Sequence, residues 1–323
     1  MRHSLYAVAL ALAAATAIAL PAWAAYPDKP VTIVVPFPPG GSTDTIARTL
    51  APRLAATLGQ SFVVENQAGA TGAIGATRVK RAPADGYTIL VASIGVYATN
   101  PFLQKGLQYD PAKDFDLLTV AVRAPNVLVV NPSVPARNVA ELIEYLKKNP
   151  DKVSFATSGA GSSDHLTAAL FWQKTGTTGI HVPYKGGAPA ISDLIAGHAQ
   201  VSFQNINAVL GHIRSGKLRA LAVTGDKRST ALPDVPTLAE TGVRGVDVFS
   251  WQAVAAPKGL PPEVRDKLHG ALVKALNDPE VVKTLSEQGI EVVGNTPEQF
   301  DKFLQQELAR WKGVIEAGKI TLD

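Results

Sequence analysis

Along most of this chain, short apolar β-branched runs alternate with longer stretches whose apolar residues recur every three or four positions. The first kind of run reads as a buried strand and the second as an amphipathic helix. Residues 31–35 predict a strand, and 42–58 a helix that stops at Gly59. Residues 61–65 predict a second strand, 72–81 a helix of small residues, and 87–92 a third strand. Strand, helix, strand, helix, strand is the signature of a parallel sheet joined by right-handed crossovers.

The pattern then restarts. Residues 127–130 predict a strand, and Asn138 with Glu141 three positions on makes a capping-box-like helix start. Val139, Leu142, Ile143 and Leu146 share one face of that helix, which Pro150 ends. Strands follow at 153–157, 180–182, 201–203 and 218–223, with helices at 162–174 and 188–196. From Pro261 the chain is mostly helical. Thr296, Pro297 and Gln299 supply a cap, a first-turn proline and a third-position glutamine, and Trp311 falls on the apolar face of the helix they open. Two sheet-and-helix units and a helical tail predict an α/β protein of two lobes. Residues 25–124 with 246–323 would form lobe one, and 125–245 lobe two. The chain would cross between them near 123–126 and again near 245–251, and a double crossing of that kind makes a hinge beside a cleft.

Composition narrows the setting. Arg2 and His3 precede an apolar run from Leu5 to Leu20, and Ala22 and Ala24 then supply the small residues of a signal-peptidase site. Residues 1–24 therefore read as a cleaved export signal, with the mature protein periplasmic. No other segment is apolar for long enough to span a bilayer, which predicts no direct membrane insertion. The 323 residues include no cysteine, which excludes disulfides, zinc–thiolate sites and a cysteine nucleophile. The formal charge of +4 comes from scattered Lys and Arg rather than a dense patch, so nucleic acid is not expected as a partner.

One local pattern occurs twice. The strand at 31–35 runs into Pro36, Phe37, Pro38, Pro39, Gly40, Gly41, Ser42, Thr43 and Asp44 and then a helix. The strand at 153–157, ending in Thr157, runs into Ser158, Gly159, Ala160, Gly161, Ser162 and Ser163 and then a helix. Backbone N–H groups in a helix's first turn lack partners, and the helix dipole favours negative charge there. Glycine admits an anion close to the backbone and serine adds donors, so each turn can hold a carboxylate or phosphate without Arg or Lys. Asp44 would stabilise its helix start, or hold a water or an ammonium group. A third segment, Gly69 to Gly75, supplies more donors or allows close helix packing. It lacks the dinucleotide spacing, and no phosphate loop, nucleophile elbow or histidine metal motif is present, so no cofactor or metal is expected. Ser163, Asp164 and His165 are adjacent on a helix start and point in different directions, so a hydrogen bond from Ser163 or His165 to a ligand is the better reading.

These residues resemble the Bug family of periplasmic solute receptors, the binding component of tripartite tricarboxylate transport systems. The resemblance runs from Tyr26 to Asp44 and through Val64 to Ala70, Asp85 to Leu90 and His181 to Gly187. It closes with Arg228, Pro233 to Thr237 and Thr296 to Phe300. It implies a two-lobed type II periplasmic-binding-protein fold that closes like a flytrap, catalyses nothing, and delivers a small carboxylate to a membrane permease. It places the two glycine turns as pincers on the carboxylate, and adds Ser93 to Tyr97, Tyr184 to Gly186, and Phe203 through Gln204 to Asn205 to the cleft. Relatives often carry an acid where Gln204 stands, so this chain would favour a plain mono- or dicarboxylate over an amino acid. Two alternatives stay open: docking of the closed receptor on a sensor kinase, and a periplasmic hydrolase using Ser162 or Ser163.

Overall fold

The structure is a computed structural model that describes residues 26–321. The export signal predicted at 1–24 lies outside the described residues. Strand β1 (Val31–Val35) lies between β2 (Phe62–Asn66) and β3 (Thr88–Ser93), parallel to both. Helices α1 (Ser42–Leu58) and α2 (Ala73–Lys80) make the crossovers. Val31, Ile33, Val34 and Val35 are fully buried, as an unbroken apolar run must be when both sheet faces are covered. Gly75 explains the third glycine segment as a close-packing device. A Cβ there would meet Pro36 Cβ at 2.8 Å and the Gln67 carbonyl at 2.9 Å.

The parallel arrangement does not extend through the molecule. β4 (Phe115–Val130) is a 16-residue strand, of which the apolar pattern predicted only the last part. Its first part pairs antiparallel with β9 (Phe249–Pro257), which itself lies antiparallel to β3. Its second part pairs antiparallel with β7 (Val201–Asn205) and β8 (Arg219–Val223). β7 is parallel to β5 (Ser154–Thr157), and β5 to β6 (Ile180–Pro183). The strand order is thus β2-β1-β3-β9-β4-β7-β5-β6, with β4 common to two sheets. β9 returns from the other half of the chain without a helical crossover, so nothing holds it to the parallel direction.

β4 and β9 meet along this seam. Pro125 of β4 is in register with Phe249 of β9. Thr224 joins them: its hydroxyl accepts from the Asn126 N–H and donates to the Val248 carbonyl.

Besides short helical segments at 70–72 and 95–103, the later helices are α3 (Val139–Lys148), α4 (Ser163–Thr175), α5 (Gly187–Ala196), α6 (Ile206–Arg214), α7 (Pro262–Leu276), α8 (Pro279–Glu287) and α9 (Pro297–Gly318). Asn138 caps α3 through the Glu141 N–H, and Thr296 with Gln299 forms a full capping box on α9. α9 buries Phe300, Leu304, Trp311 and Ile315 and packs against α4. Glu307 on the same face accepts from the indoles of Trp251 and Trp311, at 2.8 and 2.9 Å. Trp311 is therefore a core residue.

Candidate functional site

A cavity of about 370 Å³ lies where the two sheets meet. One wall is the turn from β1 into α1. Gly40 takes φ +85, a conformation that only glycine adopts without strain, and its N–H donates to Asp44 Oδ2 at 2.9 Å. The Asp44 carboxylate also accepts from Arg48 Nε and Asn66 Nδ2. Burial raises the Asp44 carboxyl, but hydrogen bonds from Arg48, Gly40 and Asn66 outweigh it and hold the group below the usual carboxylate range. Asp44 thus stakes the turn to the helix and does not line the cavity. Gly41, at the N-cap of α1, brings no side-chain cap. The first-turn N–H groups behind it stay at the cavity wall, where Gly41, Ser42 and Thr43 are exposed to it.

The opposite wall is the turn from β5 into α4, and its donors are used differently from the sequence expectation. The N–H groups of Ser158, Gly159, Gly161 and Ser162 bond within the protein, to Asp164 Oδ2, Thr157 Oγ1, His165 Nδ1 and the Gly159 carbonyl. What this wall offers is the start of α4 itself, with the Ser158, Ser162 and Ser163 residues around it. Asp164, which the sequence reading left out of the site, holds the turn together. Its Oδ2 accepts from the Ser158 N–H, the Ser158 hydroxyl and Gln204 Nε2. Burial raises its carboxyl pKa against the lowering effect of hydrogen bonds from Ser162 and Ser158. An acid at position 204 would face this buried carboxylate, whereas the Gln204 amide satisfies it.

Of the predicted residues, Phe37, Pro39, Gly40, Gly41, Ser42, Ser93, Ser158, Gly161, Ser162, Ser163, Gln204 and Asn205 line the cavity. Asp44, Tyr97, Thr157, Gly159, His165 and Tyr184 lie outside the lining. Tyr97 is fully buried, stacked on Trp251 and edge-on to Phe300. Tyr184 gives its hydroxyl to Asp193. Thr157 bonds His181, whose ring stacks on His165 with centroids 3.7 Å apart. Burial pushes His165 down to about 3, helped by His181, and His181 itself down to about 4, so both rings are neutral at physiological pH. His165 accepts the Gly161 N–H and is a brace for the turn. Neither Ser162 nor Ser163 bonds an imidazole among the described residues: Ser162 donates to the Gly159 carbonyl, and Ser163 pairs with Asn126 and Asn205.

The resemblance placed Tyr184 to Gly186 and Asn205 in the cleft, but sequence reasoning missed that Asn205 opens a helix, and it missed the cavity floor. α5 begins at Gly186, φ +115, and α6 at Asn205, each without a side-chain cap, and both starts are at the cavity. The floor is Ser250 and Gln252 of β9, linked through Ser250 to Asn205. The glycines of 186–187 were visible in the chain, but α6 and the inward face of β9 follow from long-range pairing. Four helix N-termini therefore converge on a cavity whose only side-chain carboxylate, Asp164, is internally bonded. The dipoles sum to a positive potential suited to an anion. Two contacts bridge the walls: the Ser42 hydroxyl donates to Asn207 Oδ1 at 3.1 Å, and the Thr99 hydroxyl to the Gly161 carbonyl at 2.8 Å.

Residues 46–320 match the profile of the tripartite tricarboxylate transporter family receptor. The chain belongs to that family. Among relatives, it is 41% identical to protein BugT of Bordetella pertussis over 291 residues, 90% of this chain and 89% of BugT. Among solved structures, R. palustris Rpa4515 with adipate superposes with a TM-score of 0.89 at 39% identity, covering 92% of this chain and 100% of that one. The periplasmic binding protein BugD gives 0.86 at 39% identity, covering 91% and 99%. As in these receptors, the fold is the two-lobed periplasmic-binding-protein type, and the Bug resemblance seen in the sequence holds.

Proposed function

We propose that this chain is an exported periplasmic receptor that captures a small organic carboxylate between its lobes and hands it to a tripartite tricarboxylate-type permease, catalysing no reaction. One observation carries the reading: four helix N-termini, uncapped by any side chain at three of them, meet at a cavity without a free acid. Adipate in Rpa4515 supports a carboxylate as the anion. Lobe one would comprise 25–124 with 246–323 and lobe two 125–245, hinged on the β4–β9 seam. The lobes close over the ligand, and desolvation strengthens each N–H contact. Ligand binding raises the closed population by its differential affinity, and the permease reads the closed form.

A thermal-shift screen against organic acids at neutral pH tests this. A carboxylate at 100 times its dissociation constant adds about 2.7 kcal/mol of stability. Stabilisation by neutral sugars with none by any organic anion would overturn the reading.

A further inference from the structure

The cavity does not end at the helix starts. It continues along facing stripes of α5 and α6, which pack beside each other. On α5 the lining residues Gly187, Ile191 and Ile195 fall at four-residue intervals, and on α6 Asn205, Ala208 and His212 recur at three and four. Each set is therefore one helical face. At 1.5 Å per residue, the α6 stripe runs about 10 Å from Asn205 to His212. The slot is lined largely by apolar side chains, with Ile191 buried and Ser192 beside it on α5, and it ends at a polar ring. There the His212 imidazole lines the cavity and has no hydrogen-bond partner among the described residues.

We propose that this slot makes the site open-ended. A carboxylate held at the helix starts extends an apolar body between α5 and α6, and His212 binds a second oxygen-bearing group at the far end of the ligand. The proposal rests on the carboxylate-receptor reading and adds length selection to it. A ligand too short to cross the slot gains nothing from His212. A long ligand with a methyl terminus fills the slot but leaves the imidazole unanswered. The best ligands are elongated acids that are polar at both ends and apolar between.

Calorimetric titration with succinate, adipate and suberate, and with the matching monocarboxylates butyrate, hexanoate and octanoate, tests the assignment. Suberate is expected to bind at least about tenfold more tightly than octanoate, the effect of one hydrogen bond to a charged group. In His212→Ala that preference disappears, while succinate binds as before. Ala208→Leu narrows the slot midway, so suberate and octanoate both weaken and succinate does not. Equal affinity for suberate and octanoate in the unmodified protein, or equal losses for succinate and suberate in either variant, would overturn the slot and leave the carboxylate site standing. If no member of either series binds, the receptor reading fails as well.

Discussion

At Gly161 the backbone takes φ +77, gives its N–H to His165 and receives the Thr99 hydroxyl on its carbonyl. A Cβ at this position would lie 2.6 Å from Leu103 Cδ1 and 3.0 Å from Thr99 Oγ1, both on the segment that follows β3. Gly161→Ala should therefore cost at least about 1 kcal/mol, the left-handed penalty of an L-residue, with the displacement of Leu103 adding to it. Its affinity for the acid identified by thermal shift should fall by tenfold or more, and adding Leu103→Ala should restore part of it; titration calorimetry on the three variants decides. The histidine pair makes a pH prediction. Both rings are depressed from the ordinary 6.5, so below that pH the unfolded chain binds protons that the folded one refuses. Stability is then flat above about pH 6.5 and lost as the pH falls toward 4, by at most about 1.4 kcal/mol per pH unit for each ring. Replacing His181 with Gln keeps a partner for Thr157 and should flatten the pH dependence of the denaturant midpoint by about half. Comparing the two proteins cancels the opposing contribution of Asp164, whose raised pKa favours the folded state at low pH.

The helix starts that line the cavity are built against the stability rule. A side-chain cap typically stabilises a helix, yet α1, α5 and α6 leave their starts uncapped by side chains. On the proposed reading, a bound carboxylate supplies the missing partner. Gly41 offers a direct test, because its φ of −82 and ψ of 170 suit any residue and a Cβ there would meet nothing closer than the Pro38 carbonyl at 4.0 Å. Gly41→Asp should raise the thermal midpoint slightly, by a few tenths of a kcal/mol, since Asp caps better than Gly. The same carboxylate would occupy the anion position, so affinity should fall at least about tenfold by both capping and charge repulsion. A midpoint that rises without loss of binding would remove α1 from the site.

Across the whole molecule, binding depends on two lobes joined by continuous strands rather than by loose linkers. β4 and β9 run side by side through the seam, and α9 packs on α4. The hinge proposed on this seam would bend about a fixed line and bring the same residues together each time. Thr99→Val removes the hydroxyl bond between the walls without changing the residue's shape. It should weaken carboxylate binding roughly 2- to 10-fold, the range for one hydrogen bond, chiefly through a faster off-rate in stopped-flow measurements. The unfolding midpoint measured with saturating acid should fall more than that without it.

The sequence by itself determined what is encoded locally. Apolar runs marked β1, β5 and most crossover helices, and glycine followed by hydroxyl residues after a strand marked the two turns, because turn conformation and helix capping depend on near neighbours. The 16-residue β4 was legible only in its last part, since Arg123, Pro125 and Asn126 interrupt the apolar pattern at the seam. Tertiary pairing satisfies them: Arg123 bonds Glu291 and lies over Phe249, and Asn126 bonds Thr167 and Thr224. Asp44 and Asp164 read alike in the chain, each just inside a helix start. Only packing decided that both carboxylates turn inward to brace the turns, and that Tyr97 and His165 serve the core and the turn. The cavity floor at Ser250 and Gln252, the starts of α5 and α6 and the slot ending at His212 exist only once β7 and β9 have paired with β4. They bring together residues far apart in the chain, and no local pattern specifies such contacts.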